Sequence, residues 1–311
     1  LYCLQSRYAK AESLYLRALK IEEKAQAEGL GVSSSLVNLA TFYEYQAQYT
    51  KAESLYLRAL KIRETANGLD DNSVAYSLDD LARVYCSQAQ YAKAEPLLLR
   101  ALKIRETAND PDDNSVAKSL DKLAELYSSQ AQYAKAEQLY LRALMIHEKS
   151  ENPDANYMNV ADSLNKLAEL YRSQAQYAKA EVLYQRALKV WEKALTPDRF
   201  HVAVTLNVAR SFNNLAVLHF DQKDVGKALI HSRKAQEIVL GFLKKIAEWQ
   251  SGSEQQSELE EIRRLLDNYL CASIANSQLG YEALLEWKGN LFLRQQRQKA
   301  FVAVDPQARE I

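Results

Sequence analysis

Apolar residues recur along this chain in two alternating figures. The first runs Leu-x-x-Leu-Ala-x-x-Tyr. As Leu78, Leu81, Ala82 and Tyr85 it places apolar groups at i, i+3, i+4 and i+7, one face of an α-helix. The second, Tyr91–Thr107 (YAKAEPLLLRALKIRET), carries Tyr91, Ala94, Leu98, Ala101 and Leu102 on its own face. The pattern predicts a helix A over about Ser73–Ser87 and a helix B over about Tyr91–Thr107. The Gln88-Ala89-Gln90 between them fits only a tight antiparallel turn. Small residues at Ala82, Ala94 and Ala101 let the helix backbones approach closely.

The pair is repeated. Copies of helix B begin at Tyr8, Tyr49, Tyr91, Tyr133, Tyr177 and, in weaker form, Val225, so the starts are 41, 42, 42, 44 and 48 residues apart. The helix A set returns as Leu36/Leu39/Ala40/Tyr43, Leu120/Leu123/Ala124/Tyr127 and Leu164/Leu167/Ala168/Tyr171. The helix B set returns as Ala52/Tyr56/Ala59, Ala136/Tyr140/Ala143 and Ala180/Tyr184/Ala187. A fixed period in this range marks a solenoid, whose stacked units share one continuous core. These positions are therefore expected to be core, and most of the tyrosines with them. The sixth copy substitutes Phe212, Leu215, Ala216 and His219 for the helix A set, and Ala228, Ser232 and Ala235 for the helix B set. His219 is expected to be a partly buried packing residue.

Polar segments separate the units: Asn109–Asn114 (NDPDDN), Glu151–Asn156 (ENPDAN) and Thr196–Asp198. They are expected to end one helix and start the next. Pro96 stands within the first turns of a helix B, where it is expected to bend the axis locally. Leu1–Tyr8 aligns with Leu126–Tyr133, so the chain is expected to open inside a repeat. After Ala235 the period is lost. Helix B is expected to continue towards Trp249. The segments Ser257–Ser277 and Gly280–Arg297 are expected to form amphipathic helices that cap the array. The organisation expected is thus all-α: a repeat array over residues 1–240, a helical cap or connector over 241–300, and a tail or the start of another domain over 301–311.

Composition agrees with this and narrows the chemistry. Of 311 residues 48% are apolar, with only 8 Gly and 5 Pro, which suits a helical protein. The formal net charge is zero, so neither a nucleic-acid backbone nor an anionic membrane is favoured as a partner. No apolar run reaches the length of a membrane span. Cys3, Cys86 and Cys271 are isolated, forming neither a metal spacing nor a disulfide framework, so a reducing, cytoplasmic setting is expected. His147, His201 and His231 have no neighbours at ligand spacing. There is no phosphate-binding glycine loop and no nucleophile–base pair. Catalysis within these residues, a metal and a cofactor are all unexpected.

The unit SLxxLAxLYxxQxxYxxAExLYxRALxI resembles the tetratricopeptide repeat, carried by Leu164, Leu167, Ala168, Tyr171, Ala180, Tyr184 and Ala187. With a period near 42 instead of about 34 residues, the RALxIxE run and a Pro-Asp loop, it looks like the repeats of kinesin light chains and their bacterial relatives. The resemblance covers about residues 1–240. It implies a right-handed superhelical solenoid of antiparallel helix pairs with a concave groove lined by helix A.

By the same resemblance the groove-facing positions are Ser34/Val37/Thr41/Glu44, Tyr76/Asp79/Arg83/Cys86, Lys118/Asp121/Glu125/Ser128, Asp162/Asn165/Glu169/Arg172 and Arg210/Asn213/Val217/Phe220. They change from unit to unit while the core stays fixed. The candidate protein-binding residues among them are Thr41, Glu44, Tyr76, Asp79, Arg83, Lys118, Asp121, Glu125, Asp162, Asn165, Glu169, Arg172, Arg210 and Asn213. In kinesin-light-chain-like repeats an asparagine beside the second Leu of helix A clamps the backbone of a bound peptide. Its equivalents here are Asn38, Asp80, Lys122, Lys166 and Asn214, so only two positions keep it.

Tyr281–Gln296, with Glu286, Trp287, Lys288 and Gly289, is similar to the connector that precedes a CHAT domain, a caspase-like peptidase module, in bacterial proteins. That resemblance implies a catalytic module beyond Ile311, and no residue of its His-Cys dyad within this chain. The reading expected is a protein-interaction scaffold that binds a peptide or protein segment, identity unknown. The alternatives are the regulatory arm of a CHAT protease and a structural spacer or assembly subunit.

Overall fold

The computed structural model describes residues 8–25, 29–108, 113–149, 153–194 and 202–248. Every regular element among them is an α-helix: α1 (Tyr8–Ala25), α2 (Leu30–Tyr45), α3 (Tyr49–Asn67), α4 (Asn72–Ser87), α5 (Tyr91–Thr107), α6 (Asp113–Ser129), α7 (Tyr133–Lys149), α8 (Pro153–Ser173), α9 (Tyr177–Ala194), α10 (Val202–Asp221) and α11 (Val225–Glu248). The even-numbered helices are the expected A helices. The odd-numbered ones are the B helices, and α11 runs on to Glu248 as the sequence predicts. The expected cap over 257–277 and 280–297, the tail, residues 1–7 and the Thr196–Asp198 segment lie outside the described residues.

The chain forms two compact units, Leu1–Glu151 and Asn152–Ile311. In the first, α2 packs on α3, α4 on α5 and α6 on α7, and α1, α3 and α5 each pack on the A helix that follows. In the second, α9 packs on both α8 and α10, and α10 on α11. Within each unit every helix therefore meets its chain neighbours, the arrangement that lets identical faces stack into one core.

The helix A and helix B sets are that core. Leu36, Leu78, Leu120 and Leu164 are fully buried, as are Ala52, Ala94, Ala136 and Ala180. Each leucine removed from water contributes about 2 kcal/mol. Two polar segments are shorter than the sequence suggests: α6 starts at Asp113 and α8 at Pro153. Proline suits a first helical position, because its missing N–H has no partner there to lose. Pro96 stays within an unbroken α5.

The A-to-B turns use a device that the sequence hides. Ala47, Ala89, Ala131 and Ala175 adopt φ of 55°, 54°, 56° and 56°, the left-handed region, and Lys223 follows at 63°. In the turn after α2, Ala47 N–H donates to Glu44 O at 2.8 Å and Gln48 N–H to Tyr43 O at 2.9 Å. This is a Schellman ending, which satisfies carbonyls the helix would leave open. In the four alanine turns the two glutamines then join, as in Gln48 Nε2 to Gln46 Oε1 at 3.0 Å and Gln90 Nε2 to Gln88 Oε1 at 2.9 Å.

Repeat-to-repeat bonds are equally regular. Tyr43, Tyr85 and Tyr127 donate their hydroxyls to Glu12, Glu53 and Glu95 of the preceding B helix at 2.7, 2.8 and 2.8 Å. Lys51, Lys93 and Lys135 of the following B helix lie over the same rings, 4.7–5.1 Å from their centres. Burial, reinforced by the glutamate, pushes each phenol up to about 12. Along the B helices Arg58 pairs with Glu23 (2.7 Å), Arg100 with Glu64 (2.6 Å) and Arg142 with Glu106 (2.6 Å).

His219 occupies the tyrosine position of the sixth copy and is only 1% exposed, more deeply buried than its sequence context suggests. Its Nε2 lies 3.8 Å from Glu181, the residue equivalent to Glu53. Its ring stacks on His231, with centres 5.2 Å apart.

Candidate functional site

The candidate residues stand on α2, α4 and α6 of the first unit, and on α8 and α10 of the second. Within each unit their side chains are largely engaged with one another across successive A helices.

In the first unit the buried Tyr56 of α3 reaches this face with its hydroxyl. That hydroxyl lies 2.9 Å from Thr41 Oγ1 and 3.1 Å from Glu44 Oε2. Arg83 of α4 donates to Glu44 of α2, to the Tyr56 hydroxyl (3.2 Å) and to Asp80 (3.0 Å). Despite its partial burial, Asp80, Tyr56 and Glu44 raise the Arg83 guanidinium above its ordinary value.

One repeat on, Asp79 is 4% exposed and sits at the centre of a second cluster. Arg105 of α5, itself buried, donates to Asp79 Oδ2 at 2.7 Å, and Lys122 of α6 donates to the same oxygen at 2.8 Å. Arg105 also donates to Ser119 of α6, and its guanidinium lies 5.0 Å from the ring centre of Tyr76. The Tyr76 ring is thereby held in place while remaining 52% exposed. On α6, Lys118 and Glu125 are exposed and Asp121 is buried. Burial pushes the Tyr140 phenol up, and the charges of Glu125 and Asp121 add to it. Burial likewise raises the free Cys86 thiol, with Glu125 contributing.

The second unit repeats the scheme with different residues. Tyr184 of α9 donates to Glu169 at 2.7 Å; Glu169 also accepts from Arg172, which reaches Asp221 of α10 at 2.5 Å. Burial opposes the ionisation of Glu169, but the bonds from Arg172 and Tyr184 win and its carboxyl is lowered. Arg210 meets Asp162 at 3.1 Å, and Asn214 meets Asn165 at 3.5 Å. Asn213 is half-buried on α10.

The variation among the A helices is thus in part a set of matched pairs within each unit: Glu44 with Arg83 and Asp79 with Lys122 in the first, Asp162 with Arg210 and Arg172 with Asp221 in the second. Tyr56, Tyr184, Arg105 and Asp221 belong to these clusters, though none is among the candidates. Arg105 carries the clearest signal, as a charged residue at a register where α9 places the buried Trp191. Exposed on the A helices of the first unit are the Tyr76 ring, Lys118 and part of Arg83 and Lys122; on those of the second, Arg210, Asp162 and Phe220. Among the described residues no three His, Cys, Asp or Glu side chains could hold a metal ion. No described helix is long and apolar enough to cross a membrane.

Stacked pairs of antiparallel helices with this core define the class of helical repeat proteins. The tetratricopeptide repeat profile matches residues 1–65, 31–107, 72–149 and 159–240, and the chain belongs to that family. The structure is similar to BtubC (BKLC) from P. vanneervenii, with a TM-score of 0.63 and 22% identity over 75% of this chain and 91% of that one. It is also similar to the nearly identical repeats of a putative kinesin light chain from Podosopora anserina, in a single-substitution variant, with a TM-score of 0.55 and 21% identity over 68% and 96%. The apo form of RapI gives 0.54 and 18% over 86% and 99%. At these identities the likeness is one of fold. No curated protein matches the chain in sequence.

Proposed function

We propose that this chain is a protein-interaction scaffold that takes up a peptide or protein segment on its A-helix face. One observation carries the reading. The core is nearly invariant from copy to copy, while the exposed side chains of the A helices are not: Tyr76, Lys118 and Arg83 in one unit, Asp162, Arg210 and Phe220 in the other.

Helix backbones are internally bonded, so a ligand must be held by side chains. Those side chains are already oriented here. Arg105 fixes the Tyr76 ring, and Asp79 fixes Lys122, whose side chain is 45% exposed and has donors to spare. Ordering them before binding lowers the entropy lost on association. In this reading the chain works in the cytoplasm, without catalysis or a cofactor.

A peptide array probed with the 311-residue chain tests it. Defined sequences should be retained, and Tyr76→Ala with Lys118→Glu should release those that contact the first unit. An array that gives the same signal with wild type and variant contradicts the reading.

A second reading, the arm of a CHAT protease, rests on Glu286, Trp287, Lys288 and Gly289, which lie outside the described residues. The gene sequence beyond Ile311 decides it.

A further inference from the structure

The sixth copy replaces a residue that the first unit keeps. Tyr43, Tyr85 and Tyr127 of the A helices donate to Glu12, Glu53 and Glu95 of the preceding B helices at 2.7, 2.8 and 2.8 Å. In the second unit the same two positions, on α10 and α9, hold His219 and Glu181. The carboxylate is kept, but the phenol that would donate to it has become an imidazole.

The His219 ring is set between two oxygen acceptors. Its Nδ1 lies 3.2 Å from Gln222 Oε1, and its Nε2 lies 3.8 Å from Glu181 Oε1, beyond hydrogen-bond reach. A neutral imidazole carries one N–H and serves one of these oxygens, whereas the imidazolium serves both. With its proton on Nδ1, the neutral ring turns the Nε2 lone pair towards a carboxylate. A second proton, on Nε2, converts that repulsion into a charge-assisted bond. Glu181 accepts from Gln185 at 3.2 Å, and a carboxylate has lone pairs left for a second donor. A charge this deeply buried persists only when it is paired and hydrogen-bonded, and Glu181 and Gln222 supply both.

The remaining neighbours limit the pair of histidines to one added proton. The His231 ring of α11 stacks on His219, with centres 5.2 Å apart and planes 9° apart. Its buried Nδ1 has no hydrogen-bond partner among the described residues. Burial, then the charges of His219, Lys234 and Lys227, holds His231 below the ordinary histidine value, with Glu181 opposing. Of the other carboxylates nearby, Asp224 in the α10–α11 turn is bonded to Lys227, and Asp221 of α10 to Arg172. A charge on His231 would therefore face cations on α11 and, across the stack, a charged His219.

We propose that His219 and His231 form a one-proton switch in the last repeat. Protonated, His219 makes the tie from α10 to α9 that tyrosine makes in the first unit without a charge. Neutral, it leaves that tie open. The switch acts on the helix that carries Arg210, Asn213 and Phe220.

Two measurements on the 311-residue chain test this. Ring-nitrogen NMR of the histidines is read from about pH 8 to about pH 5, where histidines change charge. His219 should pass from one N–H to two, and His231 should take up a proton only after it. As His219 gains its proton, amide exchange in α10, corrected for the intrinsic effect of pH, should slow by about tenfold, as expected for a bond to a charged group. His219→Tyr should hold α10 at the slow rate throughout, Glu181→Gln should abolish the slowing, and His231→Phe should leave it in place. The ring spectrum needs no variant, so it decides even where a substitution misfolds. A His219 that keeps a single N–H throughout overturns the proposal, as does a His231 that protonates first. So does wild-type exchange that fails to slow, or slowing that survives in Glu181→Gln.

Discussion

The Tyr85 hydroxyl donates to the Glu53 carboxylate at 2.8 Å and ties α4 to the B helix of the preceding repeat. The same bond recurs at Tyr43 and Tyr127, so a residue type that packing alone would fill with phenylalanine is tyrosine for a second reason. Tyr85→Phe keeps the ring and leaves Glu53 without that donor. It should lower stability by about 1–2 kcal/mol, read by urea denaturation, with helicity unchanged.

The three phenols also set an alkaline limit. Each is held up to about 12 in the folded chain, against an unfolded value near 10. The folded state therefore keeps protons that the unfolded state gives up. Their contribution is fully present below about pH 10 and is lost as pH rises from about 10 to about 12. The melting temperature should fall across that window, and the triple Tyr→Phe variant should show a shallower fall.

Acid acts at the other end of the chain. Burial, then the neighbouring His219 and Lys234, lowers His231, while Glu181 opposes them and Lys227 adds to the lowering. The unfolded chain takes up this proton first, so stability present above about pH 6.5 should decline as pH falls below it. His231→Phe, which preserves a ring beside His219 and Phe212, should flatten that decline in pH-dependent melting.

Asp79 and Arg105 are both 3% exposed in their side chains and bonded at 2.7 Å. Asp79→Ala strands a buried guanidinium and should cost about 3–5 kcal/mol. Replacing the pair together by Asp79→Leu and Arg105→Met should recover most of the loss. Chemical denaturation of the two variants separates ion pairing from packing.

The turn alanines sit where glycine is the usual residue. Ala89 at φ 54° carries the strain of a left-handed L-residue. Ala89→Gly should stabilise by less than about 1 kcal/mol, because relief of strain is offset by greater freedom of the unfolded chain. Ala89→Val should destabilise by about 1 kcal/mol or more. Thermal melts of the two variants should move in opposite directions.

Much of this architecture is written in the sequence. The i, i+3, i+4, i+7 spacing of Leu78, Leu81, Ala82 and Tyr85 predicts a buried helical face, and all four are buried. Helix B at Tyr91–Thr107 has the same limits in the structure. The turn is harder to see, because Gln-Ala-Gln contains no glycine to signal a left-handed residue. The A-helix face is harder still. Polarity at Glu44 or Asp162 says that a side chain avoids the core, but not that its partner is Arg83 or Arg210, 39 and 48 residues away. Matching pairs become visible only when the repeats are stacked.

Whether the A-helix face is the recognition surface is tested most directly by comparing two variants on one peptide array. Tyr76→Ala with Lys118→Glu alters the proposed face, and Leu57→Ser with Leu99→Ser alters the opposite one. The first should abolish retention of the peptides bound by the first unit, and the second should leave it intact. Retention that survives the first variant, or disappears only with the second, contradicts the account.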